Sequence, residues 1–247
     1  MQNLKNILTK CMLTGALLTG PALYANDTSD WEHQVSVYGW LPTLDGTLTF
    51  KVPGEPDEGA DSNAIDSLDS VFMGSYEARK NEWSFLADLI YLKISGDTQG
   101  LNPNVNLDLE LTAKMYGFYA GYTLSDANNM RIDLIGGMRY FSLGLDVTRS
   151  GGAILNGRLS SDVENYDAVI GIKGEYNINS DWYVPYQIDI GAGDSDLTWQ
   201  ANASIAYRFD WGDVIATYRY IHYDKGDSLL LEDFDLYGPK LGVVFHF

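Results

Sequence analysis

Histidine is the side chain best placed to move protons near neutral pH, and the chain has three: His33, His222 and His246. His222 and Asp224 are two residues apart, so on a strand they share a face. A serine held beside His222 would complete an esterase-like set, but spacing alone cannot supply it. Six acids, Glu55, Asp57, Glu58, Asp61, Asp66 and Asp69, put oxygen ligands at a density that could hold Ca²⁺. They lack the EF-hand order, which places acid or amide groups at positions one, three and five before a glycine. No phosphate loop, zinc spacing or dinucleotide fingerprint appears, and no cofactor is expected.

The larger set of chemistry-bearing residues is a balanced list of charges. The acids are Glu77, Asp88, Asp108, Glu110, Asp133, Asp167, Glu175 and Asp189. The bases are Arg79, Lys114, Arg131, Arg139, Lys173, Arg208, Arg219 and Lys240. Each is assigned to the inward parity of a strand. They can meet only if the strands close around a common interior.

The C-terminus says that they do. Leu241, Val243, Phe245 and Phe247 alternate with Lys240, Gly242, Val244 and His246, a period of two that marks a strand with one apolar face. Ten strands follow from the same pattern along the chain: 31–41, 71–79, 83–95, 107–123, 131–148, 163–178, 182–193, 198–209, 214–224 and the last, after a loop ending at Asp233. Eight or twelve are the alternatives. Connections alternate between long and short, except for a short outer turn at Asp194 to Asp196. Long outer loops and short periplasmic turns are the habit of outer-membrane barrels. An even count puts both termini on the periplasmic side. The fold expected is an all-β, transmembrane, antiparallel up-and-down barrel; a soluble β-sandwich is the competing fold.

The N-terminus agrees. Lys5 and Lys10 precede an apolar run from Met12 to Leu18 and a small-residue stretch ending at Ala25, which reads as a secretory signal over 1–25. Residues 26–247 then form a single barrel domain with an acidic extracellular loop over 42–70. Cys11, the only cysteine, lies in the signal, so thiol chemistry is excluded from the mature chain. Removing Lys5 and Lys10 leaves 14 bases against 34 acids, a charge near −20. Such a surface repels nucleic acid and attracts divalent cations. No stretch after Ala25 is long and apolar enough for a spanning helix.

Alternation assigns faces. Leu109, Leu111, Ala113 and Met115 are expected toward lipid, with Asp108, Glu110, Thr112 and Lys114 toward the lumen. Ala168, Ile170, Ile172 and Tyr176 oppose Asp167, Lys173 and Glu175; Trp199, Ala201, Ala203 and Ile205 oppose Gln200, Asn202 and Ser204. The six tryptophans are expected in two headgroup girdles: Trp31, Trp83, Trp182 and Trp211 at the periplasmic level, Trp40 and Trp199 at the outer level. A phase change at Tyr140-Phe141 suggests a bulge, and Pro185 and Pro239 each call for a bulge or a strand end. Ser62 to Phe72 could form a short helix in the barrel mouth, with Ile65, Leu68 and Phe72 on one face.

A closing strand that stops on an aromatic resembles that of bacterial outer-membrane barrels. The resemblance implies an assembly signal in Tyr237, Leu241, Val243, Phe245 and Phe247, read by the barrel assembly machinery. The segments Tyr38-Gly39-Trp40-Leu41-Pro42-Thr43-Leu44-Asp45-Gly46, Phe72-Met73-Gly74-Ser75-Tyr76-Glu77-Ala78-Arg79-Lys80, Asp88-Leu89-Ile90-Tyr91-Leu92, Gly136-Gly137-Met138-Arg139-Tyr140, Gly193-Asp194-Ser195-Asp196-Leu197-Thr198-Trp199-Gln200, Tyr207-Arg208-Phe209-Asp210-Trp211-Gly212-Asp213 and Tyr218-Arg219-Tyr220 resemble a group of uncharacterised proteobacterial outer-membrane β-barrel proteins, over nearly all of the mature chain. That implies location and fold, and no catalytic residue. A His–Asp pair at the rim is also what ten-stranded omptin proteases use, but no paired-acid motif accompanies His222.

The role expected is passive: a monomeric structural or surface barrel, or a narrow channel for small solutes, in contact with lipid and lipopolysaccharide and with divalent ions at its acidic loops. The alternative is an outer-membrane hydrolase with a rim site near His222.

Overall fold

The computed structural model describes residues 31–48, 68–99, 106–150, 157–224 and 231–247. Eleven strands occur in them: β1 (Glu32–Trp40), β2 (Thr43–Leu48), β3 (Leu68–Lys80), β4 (Trp83–Gln99), β5 (Asn106–Ala127), β6 (Met130–Ser150), β7 (Gly157–Asn177), β8 (Trp182–Gly193), β9 (Leu197–Phe209), β10 (Gly212–Asp224) and β11 (Leu231–His246). β1 and β2 are two halves of one stave. Both pair with β11, β1 with its residues 240–246 and β2 with residues 231–237. The break falls at Leu41-Pro42, because proline has no N–H to give the ladder and restricts the residue before it. Every neighbouring pair is antiparallel, and β1 joins β11 to β3, which closes a barrel of ten staves.

The ladder also binds the last residue. The N–H of Phe247 donates to the carbonyl of His33 at 3.0 Å, and that of His33 donates back at 2.9 Å. The short connections at 81–82, 128–129, 178–181 and 210–211 sit at one end, here the turn end, which also carries Trp31 and Phe247; the short Asp194–Asp196 turn is at the other. At Asn128 and Asn129 both φ angles are positive, 55° and 64°, the backbone of a two-residue turn whose twist matches that of its strands.

Alternation sorts the side chains. Phe72, Phe85, Phe118, Ile170, Ile188, Ile205, Tyr218 and Leu241 are exposed on the outside. An outward band this apolar is stable in hydrocarbon and unstable in water, so the barrel is transmembrane. Arg139, Arg219, Asp133, Asp167, Asp189 and Gln200 are buried inside.

Four expectations are corrected. β6 runs without a register shift on either side of Tyr140-Phe141; the apparent phase change arises because the interior turns apolar there. The shifts lie at Leu68/Ser70, Thr123/Ser125 and Leu231/Phe234. Residues 68–72 are strand, so the helix expected over Ser62 to Phe72 does not form there. Pro185 sits opposite Glu175 with no bulge, and the ladder to β9 skips Val184 and Pro185. Pro239 pairs with Tyr218 in an unshifted ladder, where β11 passes from β1 to β2 on its other side. Residues 1–25 and most of the acidic loop, with Glu55, Asp57, Glu58, Asp61 and Asp66, lie outside the described residues.

Candidate functional site in the barrel lumen

The lumen is built in three levels. At the turn end, Arg79 donates to Asp133 at 2.5 Å and to Thr123 at 3.0 Å, and pairs with Glu77 at 3.3 Å. Lys173 reaches across from β7 to the same Glu77 on β3. Arg131 pairs with Glu175 at 3.3 Å, and Arg208 approaches the same carboxylate at 3.7 Å. Asp213 accepts from Tyr183 at 2.5 Å and lies 2.8 Å from His246 Nε2. Around these groups is a cavity of 370 Å³, lined also by Gln34, Ser36, Ser75 and Lys240.

The middle level is one transverse chain of hydrogen bonds. Arg139 on β6 donates to Asp189 on β8, and to Thr198 at 2.9 Å. Gln200 on β9 donates to Asp189 at 3.3 Å and accepts from Arg219 at 2.7 Å. Arg219 on β10 donates to Asp88 on β4 at 2.9 Å, and Asp88 also accepts from Tyr38 on β1. The guanidinium of Arg219 lies 5.1 Å from the Trp40 ring. Arg139, Asp189 and Arg219 are almost wholly buried, Asp88 keeps 16 % of its side chain exposed, and all four are paired. Burial of an ion is tolerated only with partners of this kind, and removing one partner costs about 3–5 kcal/mol.

The third level, toward the loops, is apolar. Tyr38, Trp40, Met73, Ile90, Met115, Phe141, Ile221, Tyr223 and Phe234 form one buried cluster inside the barrel. Phe141, Tyr223 and Phe234 meet with ring centroids 4.8–5.4 Å apart. Tyr119 occupies the interior beside lumen-facing Gly117, where a Cβ would come within 2.7 Å of the tyrosine ring. Glycine is what lets that ring lie against the wall. An apolar plug thus sits directly on a polar crossbar.

Beside the plug, Asp167 accepts from Asn165 at 2.5 Å and from the backbone and hydroxyl of Ser195 at 2.9 and 3.1 Å. Those bonds fix the Asp194–Asp196 turn against β7.

Three assigned lumen charges point out instead. Met115, Gly117 and Tyr119 are buried inside, and β5 pairs without a shift down to Asn106, so Asp108, Glu110 and Lys114 lie on the outer face. Glu110 there meets Lys93 at 3.0 Å. Charge on an outer face is costly in hydrocarbon and free of that penalty in water, so this stretch calls for wet surroundings. Trp40 is also reassigned: it is 4 % exposed, and its indole N–H donates inward to the Gly238 carbonyl at 3.3 Å. Trp83, Trp182 and Trp211 are exposed at the turn end, where Lys80 lies over Trp31 at 5.8 Å. Trp199 stacks on Tyr220, and Tyr220 on Tyr237, along the outer face at the loop end.

No protein-family model and no curated protein matches the chain. Solved structures are similar in outline only. The outer membrane protease OmpT from Escherichia coli gives a TM-score of 0.47 at 10% identity, covering 88% of this chain and 93% of that one. The translocator domain of the autotransporter NalP from Neisseria meningitidis gives 0.41 at 14% identity, covering 87% and 86%. Ail, the attachment invasion locus protein of Yersinia pestis, in complex with the heparin analogue sucrose octasulfate, gives 0.38 at 10% identity, covering 88% and 98%. At these values no residue or activity carries across.

The rim histidine lies at the loop end of β10, on the same parity as Asp224. His222 pairs with Asp235 at 2.8 Å, and it stands beside Trp199 on the outer face of the wall. His33 faces out too, against Tyr76 at 2.8 Å and Phe247. Residues that parity did not single out include Asp213, assigned to a turn, and Tyr38, Asn165, Thr198 and Ser195. Asp213 and Tyr38 could have been found by extending the alternation of β10 and β1 to their ends.

Proposed function

We propose that the chain is a monomeric outer-membrane barrel whose role is structural or surface-presenting, with a lumen closed to solutes and no catalytic activity. One observation carries this reading: the Arg139–Asp189–Gln200–Arg219–Asp88–Tyr38 chain crosses the lumen, and the Phe141/Tyr223/Phe234 cluster lies on top of it. Water and ions would have to breach both a desolvated charge layer and an apolar one. The placement of His222 on the outer wall gives the hydrolase reading no support. The closed barrel, its apolar exterior and the aromatic side chains at its turn end support the outer membrane as the location, with lipid, lipopolysaccharide and the barrel assembly machinery as partners. Divalent cations belong to the acidic loop.

Refolded protein in a planar bilayer tests it. Silence at high protein input is expected. Discrete, reproducible conductance steps from the wild-type chain would establish the narrow channel instead.

A further inference from the structure

The cavity at the turn end holds a cation that its own walls leave unpaired. Arg79, Arg131, Arg139, Lys173, Arg208 and Arg219 each have a carboxylate within 4.0 Å. Among the described residues Lys240 has none. Its Nζ lies 4.1 Å from the centroid of the Tyr38 ring, a contact that occupies one side of the ammonium and leaves N–H donors over. Asp88 is near enough to act on it electrostatically, but that carboxylate is bonded to Tyr38 and Arg219. The same cavity is lined by Asn202, whose Oδ1 is buried and accepts no hydrogen bond.

A donor without an acceptor and an acceptor without a donor share one enclosed space. A buried acceptor left unmade is costly, and a ligand that satisfies Asn202 Oδ1 while pairing with the Lys240 ammonium gains that energy. The complement of Lys240 is an anionic oxygen; the complement of Asn202 Oδ1 is a hydroxyl or N–H. The remaining walls offer hydroxyls and amides, among them Ser75, Ser204 and Gln200, and the carboxylates Glu77, Glu175 and Asp213, each already bonded to Lys173, to Arg131 and Arg208, or to Tyr183. The cavity volume of 370 Å³ lies at the small end of the roughly 300–1,000 Å³ range of ligand pockets. One ammonium beside Asp88 suits a monoanion; the second charge of a phosphate would face a carboxylate with no cation to spare. His246 and Asp213 line its mouth, so entry is from the turn end.

We propose that this vestibule is a binding site for a small hydroxylated monocarboxylate, with Lys240 holding the carboxylate and Asn202 accepting from a hydroxyl. The experiment is isothermal titration of the full refolded chain in detergent with D-gluconate, with sorbitol as its uncharged analogue and with glucose 6-phosphate as a dianion. Saturable gluconate binding is expected, with sorbitol weaker by about tenfold or more. Lys240→Gln should weaken gluconate by about tenfold, Lys240→Arg should retain it, and Asn202→Leu should weaken it severalfold, each in protein that keeps its folded gel mobility. No saturable binding of gluconate, unchanged binding in Lys240→Gln, or tighter binding of glucose 6-phosphate overturns the proposal. If Lys240→Gln fails to fold, Asn202→Leu decides it alone: unchanged affinity there overturns the assignment as well.

Discussion

Arg219→Ala is the sharpest probe of the lumen. The guanidinium makes the bond to Asp88 at 2.9 Å and those to Gln200 Oε1 at 2.7 and 3.2 Å, and it is 2 % exposed. Its loss leaves Asp88 charged, mostly buried and hydrogen-bonded to Tyr38 alone, and Gln200 without its donor. Orphaning one half of a buried pair costs about 3–5 kcal/mol. That is roughly two to four orders of magnitude in the folding equilibrium, at about 1.4 kcal/mol per tenfold. Replacing both partners together, Asp88→Leu with Arg219→Met, removes the charge without orphaning it and should come back to within about 1–2 kcal/mol of wild type. Equilibrium urea unfolding in lipid vesicles, followed by tryptophan emission, compares wild type with the single and the double variant. A single-variant loss below about 1 kcal/mol would mean that water already solvates Asp88, a value typical of exposed pairs. The crossbar would then not be a barrier.

Opening the plug should change conductance more than stability alone would suggest. Phe141→Ala with Tyr223→Ala and Arg219→Ala should give a cation-selective pore in bilayers, because the opening is then lined by Asp88 without its cation; a silent triple variant that is still folded contradicts this. Ile170→Ala, exposed on the outer wall, should cost only about 1 kcal/mol and leave conductance unchanged in the same two assays. Deleting Phe247 removes its pair of hydrogen bonds with His33, just past the end of β11; protease-sensitive, unassembled protein in the periplasm is expected, and normal heat-modifiable barrel would refute the assembly role. Asp167→Ala should free the Ser195 backbone and hydroxyl, cost about 1–3 kcal/mol, and raise proteolytic cleavage at 194–196; an unchanged cleavage rate counts against that anchoring.

Alternation made the C-terminal half legible. Gln200, Asn202 and Ser204 point in, and Ala201, Ala203 and Ile205 point out, as the period of two requires. It misled at the loop end, and for one reason. Polar-in and apolar-out is a rule for the slab of wall that touches hydrocarbon. Above that slab the solvents change places: the interior holds Trp40, Met115 and Phe141, and the exterior holds Asp108, Glu110 and Lys114. Reading β5 from its charged end therefore inverted the strand, whereas Phe118 and Tyr122 would have set it correctly. Partner choice was beyond the pattern altogether. Parity gives Lys173 a face, but only the closed barrel brings it to Glu77, 96 residues away.

The staves are of unequal height. β5, β6 and β7 run 22, 21 and 21 residues, whereas β8 has 12. The last pairing of β8 with β7 is Asp167 with Gly193, so β7 continues for ten residues, from Gly157, past its neighbour. At about 3.3 Å per residue that is roughly 33 Å of strand. One wall thus stands as a parapet over the membrane, and its β7 side is a raw border: in the ladder, residues 157–166 pair with β6 alone among the described strands. Such borders recruit foreign strands and seed fibres unless something repels them. Arg158, Asp162 and Glu164 are exposed along this one. A chain that carries them can keep a tall sheet in the open without its becoming adhesive, and neutralising those three side chains would turn the parapet into a seam.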